Sequence, residues 1–407
     1  MAARSTGLRL TVAAAGAAAL FVGADPAAAG PTIVVNPKGS IRLDVRGNGH
    51  GHGLSQYGAR GAAMAGLSYR RIVHFYYPHT HVATVEHSMI RVLIGSTGPT
   101  TTVGAYPHLT VTGVDGELPA AGVSKYRLVA GNGTGLKLQR KVDGKAWSTL
   151  ATRLPNGARF DRTNHFSIRL YLPDGSSTRY SGSLAAYRAS GGGVYTVNKV
   201  TLDRYTAGVV PREVPASWPH AAVHAQAVAA RTYGRYGVLH PRSSTYDICD
   251  STMCQVYGGH AHYYSDGSLA YTDDLAAVSN NLGEVLRYQG SVIFAEFSAS
   301  DGGYTTDGGQ PYLIAQPDPY DDAASGDPYL GYERSSAASS IAAYFGLHKV
   351  TGLTVTQRDG HGAWGGRVLA ADVKGTDAAG HARTVHATGY DLQYAFGLGS
   401  TLFKPVS

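Results

Sequence analysis

Short apolar runs separated by glycine-rich breaks dominate the chain between residues 90 and 198. Runs in which apolar and polar side chains alternate are typical of half-buried β-strands, and a Pro-Asp-Gly segment such as residues 173–175 is typical of the turn between two strands. The pattern therefore predicts a β-rich region, with strands at residues 90–94, 109–112, 126–129, 166–171 and 194–197.

The segments on either side of this region alternate between helical and extended patterns. Helices are predicted at residues 59–67, 69–77, 203–239 and 273–282. The segment at 203–239 is predicted to be helical on both sides of a loop at Glu213. Further strands are predicted at residues 32–36, 41–45, 284–287, 292–295, 366–374 and 386–392. The chain is therefore predicted to be an α+β protein in which a β-rich region packs with a helical segment.

One carboxylate has an unusual setting within the predicted helical segment. Glu213 lies between Pro211 and Pro215, just ahead of an alanine-rich helix for which Ser217 is the candidate N-cap. The prolines stiffen the segment, so we expect Glu213 on a loop at a helix N-terminus. A carboxyl group held in this way can be aimed into a cleft and have its pKa tuned by burial. The alternative is a carboxylate that interacts favourably with the helix dipole.

The first 29 residues have the pattern of a signal peptide. Arg4 and Arg9 precede the apolar residues 10–23, and three alanines at 27–29 fit a cleavage site. The absence of a twin-arginine pair favours the general secretory route, and no later stretch is apolar enough to span a bilayer. We therefore expect a secreted, extracytoplasmic protein that associates with the cell wall.

Composition narrows the set of partners. The 53 glycines and 27 tyrosines favour turns and strands over a helical bundle, and the net charge of +7 favours acidic partners. For an exported protein these are wall polymers, anionic lipid or acidic glycans, and nucleic acid is not expected. The alternative is that the charge only aids solubility, because no dense Lys/Arg block is present.

The two cysteines, Cys249 and Cys254, lie close together in the sequence. In an oxidising compartment they predict a disulfide that closes a small loop. Zinc is the less favoured alternative, because the nearby His240, His260 and His262 match no known ligand spacing.

A glycine-rich block near the start carries a His-Gly-His pair, His50 and His52. Alternate residues share a face of a strand, which would suit a metal, but no nearby acidic residue or third histidine in the sequence completes a site. A glycine-rich turn in which His50, Ser55 and Gln56 line a cleft is the preferred interpretation, and no cofactor is predicted.

Several of these segments together resemble the SpoIID/LytB family, which contains sporulation peptidoglycan lytic transglycosylases and proteins described as amidase enhancers. The resemblance lies in residues 47–59, 198–215, 225–233, 254–258, 297–305 and 389–401, and so covers most of the chain after residue 29. The glycine-histidine block usually lies near the end of such proteins and here lies near the start. Some relatives bind zinc around the Cys-Gln motif, but here Met253 stands where a ligand is expected.

The resemblance implies one SpoIID/LytB-like domain at residues 30–407. Within it we expect a Gly-His-rich block with helices (30–89), a β-rich part (90–200), a catalytic core (201–331) and a C-terminal β part (332–407). The implied activity is cleavage of the MurNAc–GlcNAc bond to give 1,6-anhydro-MurNAc ends. Glu213 would be the general acid and then the base, since the substrate's own C6 hydroxyl attacks the anomeric carbon.

Further residues are candidates for substrate contacts. Arg231 can bind an acidic substituent or form a structural salt bridge, and Gln226 can bind an acetamido group or a buried backbone group. Tyr233 and Tyr257 can stack on sugar rings or belong to the core. The remaining candidates are Gln255 and the small-residue loop with Ser300, Gly302 and Gly303, on which Asp301 is the candidate second carboxylate.

Two alternatives to a lytic transglycosylase remain open. The first is a non-catalytic wall-binding protein that enhances an N-acetylmuramoyl-L-alanine amidase, with that amidase as a partner beside the glycan strands. The second is a metal-dependent wall hydrolase that uses His50 and His52.

Overall fold

The computed structural model describes residues 33–36, 39–86, 88–95, 97–162, 167–322 and 325–406. The predicted signal peptide lies outside these residues. Helices and sheets both contribute extensively, so the α+β prediction is confirmed. In chain order the α-helices are α1 (Gln56–Met64), α2 (Tyr69–Tyr76), α3 (Leu202–Glu213), α4 (His220–Leu239), α5 (Ala276–Ser279), α6 (Ala338–Tyr344) and α7 (Gly389–Phe396).

The strands fall into two groups on either side of α3 and α4. Those before α3 are β1 (Ile33–Val34), β2 (Ser40–Val45), β3 (Leu54–Ser55), β4 (His81–Thr84), β5 (Met89–Ile94), β6 (Thr101–Gly104), β7 (Leu109–Val111), β8 (Lys125–Ala130), β9 (Leu136–Lys141), β10 (Ser148–Leu154), β11 (Arg159–Arg162), β12 (Ser167–Tyr171), β13 (Ser177–Ser181), β14 (Ser183–Arg188) and β15 (Val194–Thr201). Those after α4 are β16 (Ile248–Cys249), β17 (Ala261–Tyr263), β18 (Leu269–Thr272), β19 (Glu284–Tyr288), β20 (Ser291–Val292), β21 (Phe297–Ser298), β22 (Tyr332–Ala337), β23 (Lys349–Arg358), β24 (Val368–Thr376), β25 (Ala382–Thr388) and β26 (Phe403–Val406).

Two large sheets form the β-rich region. One has the strand order β10-β9-β8-β6-β12-β13-β17-β18, and the other has the order β16-β5-β15-β14-β11-β7. Their inward side chains alternate along each strand and meet in one buried core that includes Val92, Leu128, Phe160 and Leu170. This alternation is the physical origin of the period-two pattern in the sequence.

The helical layer packs beside these sheets. Helix α4 contacts α1, α2, α3 and the short sheet β20-β19-β4, and a second core forms between them around Leu54, Ile72, Val228 and Leu286. The apolar alanine-rich sequence of α4 lets neighbouring helices approach it closely on several sides, so most of its residues are buried.

The C-terminal part forms a third core. The sheets β1-β23-β24-β25 and β22-β2-β26 pack with α6 and α7 around Leu43, Leu353, Val373 and Phe396. Strand β2, near the start of the chain, lies between β22 and β26 and so joins the two ends of the described chain.

The predicted strands of the β-rich region are confirmed within a few residues by β5, β7, β8, β12 and β15. The final predicted strand is wrong in its second half, because α7 begins at Gly389. Thr388 and Asp391 form a reciprocal capping box, and Gly397 ends the helix in a left-handed conformation. These caps override the extended appearance of the sequence.

Two shorter predictions also need correction. The helix expected at residues 273–282 is reduced to α5. Before α5, the main-chain N–H of Asp274 donates to the carbonyl of Ala207 in α3, and after it Gly283 turns the chain with a positive φ of 69°. The strand expected at residues 292–295 is reduced to β20, since the main-chain N–H of Phe294 donates to the hydroxyl of Tyr312 rather than to a neighbouring strand. No helix among the described residues is both long enough and apolar enough to cross a membrane.

Candidate functional site

Glu213 is the last residue of α3, and helix α4 begins only at His220. The prediction of a loop at a helix N-terminus is therefore wrong, and so is that of Ser217 as N-cap, because Pro219 holds that position. A carboxylate at a helix C-terminus faces the negative end of the dipole. The favourable dipole interaction considered as the alternative role of Glu213 is consequently reversed in sign.

The two prolines around Glu213 act differently. Pro211 lies inside the last turn of α3, where it removes the hydrogen bond to the carbonyl of Ala207; that carbonyl accepts instead from the N–H of Asp274, at 3.0 Å. Pro215 forces Val214 into an extended conformation (φ −136°, ψ 144°), which ends the helix directly after Glu213.

The Glu213 carboxylate has one donor on each oxygen. The side-chain amide of Gln56 donates to Oε2 and the main-chain N–H of Val256 donates to Oε1, each at 3.3 Å. Burial raises the pKa of Glu213, while these two hydrogen bonds and the charge of Arg212 pull the pKa down and only partly offset it. The net direction favours a protonated carboxylic acid closer to neutral pH.

Glu213 opens onto a cleft of about 470 Å³. The walls come from three distant segments: residues 48–50, residues 252–256 and residues 296–299, together with Tyr233 of α4. A volume of this size is typical of a site for a small molecule or a sugar unit.

The glycines of the first segment allow close approach to the third. Strand β3 pairs in parallel with β21, so that Leu54 lies opposite Phe297. Gly49 has a φ of 107°, and an added Cβ would lie 2.4 Å from the Cβ of Ser298; Gly53 has a φ of 62°, and an added Cβ would lie 2.2 Å from the carbonyl oxygen of Glu296. Only glycine combines these angles with such contacts.

Glu296 is a second carboxylate in the cleft, and sequence reasoning missed it. It lies directly before the Phe-Ser-Ala-Ser-Asp-Gly-Gly segment that carried part of the family resemblance, which was the one available signal. Its Oε2 lies 3.2 Å from Nδ1 of His52. The prediction that no acidic residue lies near His50 and His52 is wrong, because one ligand atom from each of the three residues lies within 4.8 Å of the others.

The hydrogen bonds of His50 do not fit a metal at this triad. Its Nδ1 accepts from the main-chain N–H of His52 at 2.9 Å, and the ring also bonds to the main chain of Phe297. Nδ1 of His50 is therefore not available to a metal. Burial lowers the pKa of His50 to about 4, with a smaller contribution from His52, so the ring is neutral at physiological pH.

Asp301, the predicted second carboxylate, does not line the cleft. Its side chain is completely buried, and Oδ1 accepts from the main-chain N–H of Gly303 at 2.8 Å. It lies with Asp318 and Asp321 in a closed acidic cluster behind the β21 segment. Glu296 therefore takes the position in the cleft that the sequence had suggested for Asp301.

Other predicted residues do reach the cleft. His50, Tyr233 and Gln255 line it, and Gln56 contacts Glu213 directly. The side chain of Gln255 is nearly buried, and its Oε1 accepts from the hydroxyl of Tyr205 at 2.9 Å. The position of these four residues at the cleft is compatible with substrate binding, which stays a proposal.

The structure places three candidates inside the core instead. Arg231 is fully buried, where Nε donates to Asp203 at 2.7 Å, so the structural salt bridge is its observed role. Tyr257 packs on other tyrosines, and its hydroxyl donates to Asn198. Gln226 is also buried, and neither of its amide atoms has a hydrogen-bond partner among the residues that the structure describes.

The remaining candidates support the site from behind. Ser55 is the N-cap of α1 and donates to Asp321 at 3.1 Å, and Ser300 donates to the same oxygen at 3.0 Å. Gly302 and Gly303 both have positive φ angles, which the turn around Asp301 requires. These four residues hold the walls of the cleft rather than line it.

The cysteines are joined in a disulfide, as predicted. Cys249 ends β16, and Cys254 is part of the cleft wall that leads to Val256. The disulfide therefore fixes the segment whose main chain binds Glu213, and neither sulfur is free to bind zinc.

Comparison with known proteins adds a family to this geometry. Residues 190–288 match the family model described as SpoIID, "Stage II sporulation protein". The matched segment contains Glu213, helix α4 and the disulfide loop, while the segments with Gln56 and Glu296 lie outside it. The resemblance to the SpoIID/LytB family is confirmed over this segment.

Named relatives cover similar parts of the chain. The amidase enhancer of Bacillus subtilis (strain 168) is 38% identical over 133 residues, which are 31% of this chain and 16% of that protein. The stage II sporulation protein D of the same organism is 31% identical over 155 residues, 34% of this chain and 44% of that protein. An uncharacterized protein of Brachyspira hyodysenteriae is 34% identical over 122 residues, 30% of this chain and 31% of that protein. The chain thus matches less than half the length of each of these relatives.

Proposed function

We propose, on the match of residues 190–288 to the SpoIID family model, that the protein is a peptidoglycan lytic transglycosylase that acts on wall glycan outside the cytoplasm. It cleaves the bond between MurNAc and GlcNAc, with Glu213 as general acid and then general base. The observation that carries the proposal is a carboxyl group at an open cleft whose pKa burial raises.

The reaction balances with a single carboxyl group. Protonated Glu213 donates its proton to the glycosidic oxygen, and the bond between that oxygen and C1 of MurNAc breaks with its electron pair on the leaving sugar. The C6 hydroxyl of the same MurNAc then bonds to C1 and returns its proton to the Glu213 carboxylate. The products are a free GlcNAc hydroxyl and a 1,6-anhydro-MurNAc end, and no water is consumed.

The surroundings of Glu213 suit both halves of this cycle. Burial favours the protonated form that starts the reaction, and the donors Gln56 and Val256 stabilise the carboxylate left after the first step. Glu296 on the neighbouring wall can stabilise the positive charge that develops at C1.

A second candidate function rests on the 38% identity with the amidase enhancer. In that case the cleft binds wall glycan without cleaving it, and the protein stimulates a wall amidase.

Product analysis separates these functions. The wild type, a Glu213→Gln variant and a matched exposed variant, Glu117→Gln, are incubated with intact and peptide-free peptidoglycan, and the products are identified by mass. We expect anhydro ends from the wild type and Glu117→Gln, and a loss of about 10²–10⁴-fold in Glu213→Gln, the usual contribution of a general acid–base group.

Other outcomes contradict the proposal. Reducing ends instead of anhydro ends would indicate attack by water with Glu296 as the base, which is ordinary glycoside hydrolysis. No cleavage by any variant, with retained glycan binding and stimulation of an added amidase, would establish the enhancer function.

A further inference from the structure

Three aspartates meet in the closed acidic cluster behind the cleft. Asp301, Asp318 and Asp321 are 0%, 4% and 2% exposed, and one oxygen from each lies within 4.8 Å of the other two. Buried carboxylates repel one another and lose their hydration, so such an arrangement requires a compensating positive charge or a bound proton.

Several carboxyl oxygens of the cluster accept hydrogen bonds from the surrounding protein, and others do not. Oδ2 of Asp321 accepts from two hydroxyls and from the main-chain N–H groups of Asp301 and Gly302, and Oδ2 of Asp318 accepts from the hydroxyl of Tyr76 at 2.6 Å. By contrast, Oδ2 of Asp301 and Oδ1 of Asp321 are buried and accept from no N–H or hydroxyl donor among the described residues. The carboxyl groups of Asp301 and Asp321 instead lie within hydrogen-bonding reach of each other, so either a shared proton or a cation must hold them together.

A fourth carboxylate adds to the imbalance. Asp327 is 9% exposed, and its carboxyl group lies within hydrogen-bonding reach of Ser300 and Asp321. In the described part of the chain its Oδ2 accepts from no N–H or hydroxyl donor. Oxygens without such a donor on three neighbouring carboxylates are rare in a folded protein, because each one loses its hydration without a replacement.

A buried guanidinium, that of Arg367, lies near the cluster and is attracted to the charge of Asp301. Arg367 donates through Nη1 to the main-chain carbonyl of Gly49 and through Nη2 to that of Asp301, at 3.1 and 3.3 Å. Its hydrogen bonds go to the main chain around the cluster, and its single charge can offset at most one of the three carboxylates.

We propose that Asp301, Asp318 and Asp321 bind a calcium ion, with Asp327 at the edge of the site. Calcium–oxygen distances of about 2.3–2.6 Å allow two ligands on opposite sides of one ion to lie about 4.6–5.2 Å apart, which fits the observed spacing. The donor set consists of oxygens, which disfavours zinc. Magnesium retains several waters, and a cluster this buried leaves little room for them.

The calcium ion has a structural role that does not depend on the reaction assigned to Glu213. It joins the Ser300–Gly303 turn to the loop of Asp318 and Asp321, and through Ser55 it also holds the start of α1. These segments continue directly into the cleft walls.

Binding to the wild-type protein is the decisive test, because an asparagine in a buried site can destabilise the fold by itself. The protein is depleted with EGTA and titrated with CaCl₂ in a calorimeter, and its melting temperature is followed in parallel. We expect one calcium ion per chain and a rise in melting temperature of about 5 °C or more at saturation.

Variants locate the site. Asp301→Asn and Asp318→Asn should each weaken calcium binding at least about 100-fold, more than the loss of a residue that only orients a ligand. Asp250→Asn, which removes a half-buried carboxylate outside the cluster, should bind calcium as the wild type does. Absence of binding by the wild type would overturn the proposal in favour of shared protons, and preferential binding of magnesium or manganese would overturn the choice of calcium.

Discussion

The Glu213 cleft and the Asp301 cluster are two acidic centres built with opposite access. Burial raises the pKa of carboxyl groups in both, but Glu213 stands at an open cleft with one donor on each oxygen. The cluster is closed, and some of its oxygens accept from no N–H or hydroxyl donor among the residues that the structure describes. A buried acid therefore has different uses according to what can reach it. An accessible one can transfer a proton to a substrate, and an enclosed group of them can hold a cation.

Loss of the disulfide should have a large effect on the Glu213 cleft alone. A Cys249→Ala/Cys254→Ala double variant should lose about 2 kcal/mol in the free energy of unfolding, from the entropy of the small closed loop. Glycan cleavage should fall as well, since the segment that carries Val256 loosens. Urea unfolding of the variant, with the dithiothreitol-reduced wild type as control, measures the first effect.

The same double variant should keep its response to calcium. If the rise in melting temperature with calcium disappears together with the disulfide, the two centres are not independent and the contrast between them fails.

A smaller effect concerns the stability cost of Glu213. The pKa of Glu213 is higher in the folded than in the unfolded state, so the folded protein binds the proton more tightly. The stability that Glu213 contributes through this bound proton is fully present below pH 4.5 and is lost as the pH rises through the folded-state pKa. The melting temperature of Glu213→Gln relative to the wild type should therefore increase between about pH 4.5 and pH 8. A difference that is constant with pH, or that falls, would mean that Glu213 is not desolvated.

The smallest expected effect is on the pH dependence of cleavage. The amide of Gln56 lowers the pKa of Glu213, so Gln56→Leu should raise that pKa and move the alkaline limb of the pH–rate profile to higher pH, with a few-fold change in rate at neutral pH. Gln357→Leu, at an exposed position of β23, is the matched control. A shift of the limb to lower pH would contradict the assigned hydrogen bond.

Local signals in the sequence account for the parts of the fold that were predicted. The alternating pattern correctly predicted β5, β8 and β15, because the burial of every second side chain follows directly from strand geometry. The pattern failed where capping decides, as at α7, and where a proline is tolerated inside a helix because a distant N–H replaces the lost bond, as at Pro211.

The residues of the candidate site also differ in whether the sequence could predict them. Glu213 stood out because its own neighbours in sequence are unusual. Glu296 did not, because its meaning depends on a parallel pairing between β3 and β21 that brings together residues more than two hundred positions apart. The contact between the carboxyl groups of Asp301 and Asp321 was also beyond sequence reasoning, since it depends on which donors of the described residues reach each oxygen.

The pairing of β3 with β21 has a consequence for the order in which the protein matures. Gln56 forms its hydrogen bond with Glu213, which lies 157 residues later in the chain, and Leu54 pairs with Phe297. Contacts between such distant residues form late, because the intervening chain must first be ordered. A chain that emerges from its N-terminus onwards therefore has no complete cleft until residue 299 is available. An incomplete chain that lacks this last wall is therefore expected to have no glycan-cleaving activity.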